Sequence, residues 1–166
     1  MTIDTSAQRY FECPAQYEPA PGDLPVVFLA GGIVGCPDWQ IRAAAVLTGH
    51  RVVVLNPRRR QFPIGDPEQT PVQIRWEHRH LHLPGIVTMF WFPACDPKVT
   101  TQPIVMFELG AALGEQRPLV VGADPNYPRV EDIHWQVELA RPGTVVHPTL
   151  ADTIDATLHL IQQETP

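Results

Sequence analysis

The run Val26-Val27-Phe28-Leu29-Ala30, closed by Gly31-Gly32, is continuously apolar, which is how a strand covered on both faces reads. Working outward, Asp38 predicts the cap of a helix that runs from Trp39 through Ile41 and Ala43 to about Leu47, with Gly49 as its stop. A second apolar run, Val52-Val53-Val54-Leu55, predicts a second strand ended by Asn56-Pro57. The unit then recurs: helix over Pro71 to His82, strand over Ile86 to Phe92, helix over Pro103 to Leu113, strand over Pro118 to Val121. Helix over Val130 to Leu139, strand over Thr144 to Val146 and helix over Leu150 to Gln163 complete it. Apolar strands alternating with helices predict an α/β fold with a five-stranded parallel sheet, a flavodoxin-like three-layer sandwich of strand order 2-1-3-4-5. Residues 1–24 are rich in Pro, Gly and acids without periodicity, so an irregular N-terminal arm is expected there and a single domain over 25–166.

Composition narrows the function classes. The 166 residues are 44% hydrophobic and 18% charged, enough to bury one core. Asp+Glu 18 against Lys+Arg 12 gives a net charge of -6, so no global positive field is available for a nucleic-acid backbone, and no nucleic acid polymer is expected as partner. No apolar stretch approaches the ~20 residues of a membrane span, and the polar first 22 residues do not read as a leader, so no membrane partner and a cytoplasmic location are expected. Cys13, Cys36 and Cys95 lack the short paired spacings of zinc or dithiol sites and are read as reduced thiols. Among His78, His80 and His82 one i, i+4 pair exists, but no H-E-x-x-H pattern, so no metal and no organic cofactor is expected.

In such sheets ligands bind outside the carboxyl ends of the strands, where the strand order reverses. Gly31, Gly32 and Gly35 follow the first strand there, either as a close approach to a ligand or as a tight turn. Their spacing fits neither G-x-G-x-x-G nor a P-loop. Glu108 is the only charge in Pro103-Ile104-Val105-Met106-Phe107-Glu108-Leu109-Gly110-Ala111-Ala112-Leu113-Gly114, a helix apolar nearly all round and therefore buried on most faces. A carboxylate there is either functional or paired with an arginine. Asp96, in the loop after the third strand, is the nearest other acid on the ligand side, and two acids flanking a bond are the equipment of glycosidic chemistry. The bland reading of Asp96 is a solvated turn cap before Pro97. Arg58 and Arg59, after Asn56-Pro57, offer guanidiniums to a phosphate or carboxylate, or form a solvated loop.

Taken together, Phe28-Leu29-Ala30-Gly31-Gly32-Ile33 with Trp39, Leu55-Asn56-Pro57-Arg58-Arg59, Gln73-Ile74-Arg75-Trp76-Glu77, Phe90-Trp91-Phe92, Pro103-Ile104 and Glu108-Leu109-Gly110 resemble the nucleoside 2-deoxyribosyltransferase-like family, in its divergent branch. Val121-Gly122 through Tyr127, Arg129 and Asp132 extend the likeness. The resemblance implies exchange of one nucleobase for another by retaining double displacement, with Glu108 as nucleophile on the anomeric carbon and Asp96 as proton donor to the leaving base. Gly31, Gly32, Ile33, Asn56, Arg58, Arg59, Gln102 and Tyr127 would line the substrate pocket, Gln102 standing where the better understood branch has a sugar-holding Asp. Tyr127 or Tyr10 would help hold Glu108 ionised. The partner implied is a small-molecule nucleoside or nucleotide, and the assembly a homo-oligomer. Two alternatives stand beside this reading: a nucleoside 5′-phosphate N-hydrolase, and a non-catalytic nucleotide-binding or nucleoside-binding module.

Overall fold

Side chains that alternate in direction along a strand can feed two cores at once, and the two longest strands do so. The computed structural model describes residues 9–61, 63 and 66–164. In β2 (Val26–Gly31), Phe28 and Ala30 enter one core while Val27 and Leu29 enter the other. In β4 (Val87–Phe92), Phe90 and Phe92 oppose Val87, Met89 and Trp91 in the same way. β3 (Val53–Asn56) and β5 (Leu119–Ala123) are likewise buried at every position. The first core is covered by α2 (Gln69–Leu81), α3 (Pro103–Gly114) and α4 (Val130–Ala140), and the second by α1 (Trp39–Gly49) and α5 (Leu150–Glu164). The predicted three layers are present, and Asp38 caps α1 by accepting from the Ile41 amide at 3.2 Å.

The sheet has six strands, all parallel, where five were expected. The five predicted strands stand in the predicted order, the last of them, β6, reduced to Val146–His147. The sixth is β1 (Tyr10–Glu12), which the sequence reading placed in an irregular arm. It pairs Tyr10 with Val54, Phe11 with Leu55 and Glu12 with Asn56. Three half-buried residues are too short a run to show a period, yet they satisfy the backbone groups that β3 would otherwise present as a sheet edge. A second correction concerns α3, whose outer face is open: Ile104 and Phe107 are 65% and 77% exposed. A helix lying on a sheet covers only one side of itself. Among the described residues no helix is long and apolar enough to cross a membrane.

The arm is fastened to α2 by His80, which is fully buried. The Tyr17 amide donates to His80 Nε2 at 3.2 Å, so the ring proton sits on Nδ1 and is donated to the Trp76 carbonyl at 2.7 Å. The Trp76 indole N–H in turn donates to Ala15 O at 2.8 Å. Burial holds the imidazole below its ordinary range, because a charged ring would lose water and meet the Tyr17 donor. The unfolded chain therefore binds the proton first, and this site's stabilisation is lost as pH falls below the unfolded value of 6.5. His80→Gln should flatten the loss of denaturant midpoint between about pH 7 and pH 5, where the free imidazole titrates. An unchanged slope would remove His80 from the account.

Candidate functional site

The carboxyl ends of β2, β3 and β4 and the amino end of α3 meet at the reversal of strand order. At the end of β2 the glycines are required by the chain itself. A Cβ on Gly31 would strike the Trp91 carbonyl oxygen and come within 2.5 Å of the Trp39 ring. One on Gly32 would lie 2.5 Å from both Cys36 Sγ and Gln102 Oε1. The Gly32 carbonyl accepts from Trp39 Nε1 at 3.1 Å and Gln40 Nε2 at 3.2 Å, and Ile33 O accepts from the Cys36 amide. The bend of this loop is taken by Gly35 at φ +68°. Gly31→Ala must move backbone, and a loss of roughly 1–3 kcal/mol is expected in chemical denaturation. Wild-type stability in that variant would show the crowding to be relieved at no cost.

After β3, Asn56 turns the chain: its Oδ1 accepts from the Arg58 amide at 2.9 Å and its Nδ2 donates to Tyr10 Oη at 2.8 Å. Arg58 is engaged with its own chain. Its Nη1 donates to Pro37 O at 3.0 Å and to Cys36 O and Gln40 Oε1 at 3.3 Å, which clamps the glycine loop. Arg59 turns the other way, donating to Gln69 Oε1 at 2.8 Å and Cys13 Sγ at 3.3 Å. Together with Glu12, Cys13, Arg60 and Gln61 it lines an open cavity of about 650 Å³.

Glu108 lies in the second turn of α3. Burial, followed by the charge of Glu77, raises its pKa to about 8, against a lowering pull from Arg117. Glu77 on α2 is also raised by burial, but it accepts from Gln73 Nε2 at 2.8 Å and faces Arg59, both of which favour its ionised form. Gln73 is itself fixed, because the same Nε2 donates to Pro57 O at 2.6 Å. Two carboxyl groups that feel each other in a desolvated place disfavour each other's ionised form. Gln73 and Arg59 favour the ionised form of Glu77, whereas burial and the charge of Glu77 favour the protonated form of Glu108. The sequence reading gave Glu77 no role; its i, i+4 spacing from Gln73 on the side of α2 that meets the sheet was the available signal.

The other expected residues are placed differently. Asp96 is exposed and caps its own turn, with Oδ1 accepting from the Lys98 amide at 2.9 Å. Among the described residues no hydrogen bond joins it to Glu108. Gln102 caps α3 in a left-handed conformation, φ +56°. Its Nε2 donates to Pro93 O at 2.9 Å and Cys95 Sγ at 3.3 Å, while its buried Oε1 has no donor. The buried Tyr127 hydroxyl donates to Thr101 O at 2.7 Å, and burial pushes its pKa up to about 12. It pins the loop before α3, and its proton is not directed at Glu108. No group of three His, Cys, Asp or Glu side chains able to hold a metal ion occurs among the described residues.

A family model described as nucleoside 2-deoxyribosyltransferase like matches residues 25–127, which span β2 through the loop after β5 and include both Glu77 and Glu108. A search of curated proteins finds no match.

Proposed function

The chain belongs to the nucleoside 2-deoxyribosyltransferase-like family, and from that premise we propose that it cleaves the N-glycosidic bond of a nucleoside or nucleotide by retaining double displacement. The observation that carries the reading is Glu108, a carboxyl desolvated on α3 whose pKa burial and the charge of Glu77 raise to about 8. Glu108 attacks C1′ as the bond to the base breaks, and the base leaves with a proton. Positive charge growing at C1′ favours the ionised form of Glu108, which gives up its proton, and Glu77, whose charge Glu108 feels, is the group to receive it and hand it to the leaving base. Asp96, exposed and capping its turn, is the weaker donor. A second base or a water then attacks the glycosyl ester and frees Glu108. Gly31, Gly32, Ile33, Asn56 and Gln102 form the floor at the strand ends, and no metal or organic cofactor enters the scheme.

Arg59, bonded to Gln69 and Cys13, and Arg60, 3.7 Å from Glu12, share one cavity wall, and two guanidiniums there favour a phosphorylated substrate and therefore the 5′-phosphate N-hydrolase version, in which water is the acceptor. Arg58, bound to the Cys36 and Pro37 carbonyls, does not line that cavity. Incubation with a panel of nucleosides and 5′-nucleotides, with and without an acceptor base, tests both versions by chromatography of free base. Release dependent on the acceptor supports transfer, and release without it supports hydrolysis. Binding with no release supports a non-catalytic module and overturns the enzyme.

The open face of α3, with Ile104 and Phe107, and the exposed Trp135 and Leu139 of α4 fit association with further copies of the chain. Sedimentation at micromolar concentration should show a species heavier than the 18.5 kDa chain. A monomer alone would exclude it.

A further inference from the structure

We propose that Cys36 and Cys95 close a reversible disulfide that ties the loop after β2 to the loop after β4 across the reversal of strand order. The two side chains flank the same Gln102 amide, and each thiol acts on the other's ionisation. Both belong to one packed cluster: Cys36 Sγ and Gln102 Oε1 press on the same face of Gly32, and Gln102 Nε2 donates to Cys95 Sγ at 3.3 Å. Cys95 also donates to Thr100 O at 3.4 Å. Two free cysteines on two different loops, gathered about one amide group and held there only by weak sulfur hydrogen bonds, have the arrangement that thiol oxidation needs. Cys13 stands apart from it, buried and bonded to Arg59.

Exposure decides the order of events. Cys95 is half-buried and Cys36 only 9% exposed, and burial pushes the Cys36 thiol up to about 11. The Cys95 thiolate therefore attacks a sulfur of a small-molecule disulfide such as glutathione disulfide, forming a mixed disulfide and expelling one thiolate that takes up a proton. Cys36 then gives up its proton and attacks Cys95 Sγ, expelling the second thiol. The protein loses two hydrogens, and the oxidant becomes two thiols. The second step quickens with rising pH up to the range where Cys36 ionises. The bond closes a long loop carrying α1, β3, α2 and β4, so the oxidised protein should melt at a higher temperature than the reduced one. It also fixes the spacing between Gly32 and the amino end of α3, the helix that carries Glu108.

The test uses the native full chain and glutathione disulfide and needs no assay of turnover. After acid quenching and denaturation, one of the three thiols should still react, the mass should fall by two hydrogens, and peptide mapping should find Cys36 joined to Cys95. A dithiol reductant should restore all three. Cys36→Ser should instead retain a stable glutathione adduct on Cys95, and Cys95→Ser should take up none. Three reactive thiols after incubation, a persistent adduct in the wild-type protein, or a bridge that includes Cys13 would each overturn the proposal. The wild-type mass decides the matter even if a serine variant fails to fold.

Discussion

Glu108→Gln is expected to lower turnover of the productive nucleoside or nucleotide by on the order of a thousandfold or more while the protein still folds and binds it. The amide keeps the shape of the side chain and its place on α3 but cannot form the glycosyl ester, so the covalent route closes. Glu108→Ala should behave alike, and a 2-fluoro sugar analogue should label the peptide containing Glu108 in the wild-type protein. The charge state adds a second readout. A nucleophile must be ionised, and the free protein holds this carboxyl at about 8, so kcat/KM should rise with pH up to that value. Glu77→Gln removes the like charge that helps hold it there, and the rising limb should move to lower pH. Base release by the Glu108→Gln protein at the wild-type rate would make Glu108 a structural acid, and an unmoved limb in the Glu77 variant would uncouple the pair.

The second large effect is on stability, and its sign is the reverse of the usual one for an acid. The carboxyl of Glu108 goes from 4.5 in the unfolded chain to about 8 in the folded protein, so between those values the folded state carries the extra proton. Stabilisation from this group is complete below 4.5 and is lost as pH rises toward 8. A neutral glutamine does not titrate. Glu108→Gln should therefore be more stable than wild type above about pH 8, by a few kcal/mol if most of the shift is expressed, and the two should converge below about pH 5. Denaturant titrations at a series of pH values check it. Parallel curves would mean that Glu108 is hydrated in the folded protein, and would leave its proton without a reason.

How much of this could be read from the residues depends on how local the signal is. Phe28 and Ala30 against Val27 and Leu29 lie within one unbroken run, and the strand order follows from the chain's repeated strand–helix unit. Glu108 stood out because nothing else in its helix is charged. Glu77 lies between Trp76 and His78-Arg79-His80, where a charge draws no notice, and only the fold brings it to α3. Arg58 and Arg59 are adjacent in sequence yet face opposite sides, one fastening the glycine loop and the other reaching Gln69 and Cys13. The loop position of Asp96 suits a proton donor, whereas its oxygen is used locally by Lys98 N. Tyr10–Glu12 acquires its strand geometry from β3, far along the chain, and so has no local signature.

That last pairing bears on how the molecule is made. Tyr10 leaves the ribosome well before Val54, its partner in the sheet, and β2, which emerges between them, pairs with the opposite edge of β3. The segment that supplies Glu12 and Cys13 to the cavity wall must therefore wait, unpaired, until β3 has been synthesised and has found β2. Non-local parallel pairing of this kind is slow because the loop must close before any contact rewards it. During translation the cavity acquires this wall only after β3 has entered the sheet, and a nascent chain stalled before Val53 would carry its first strand without the edge it joins in the folded protein.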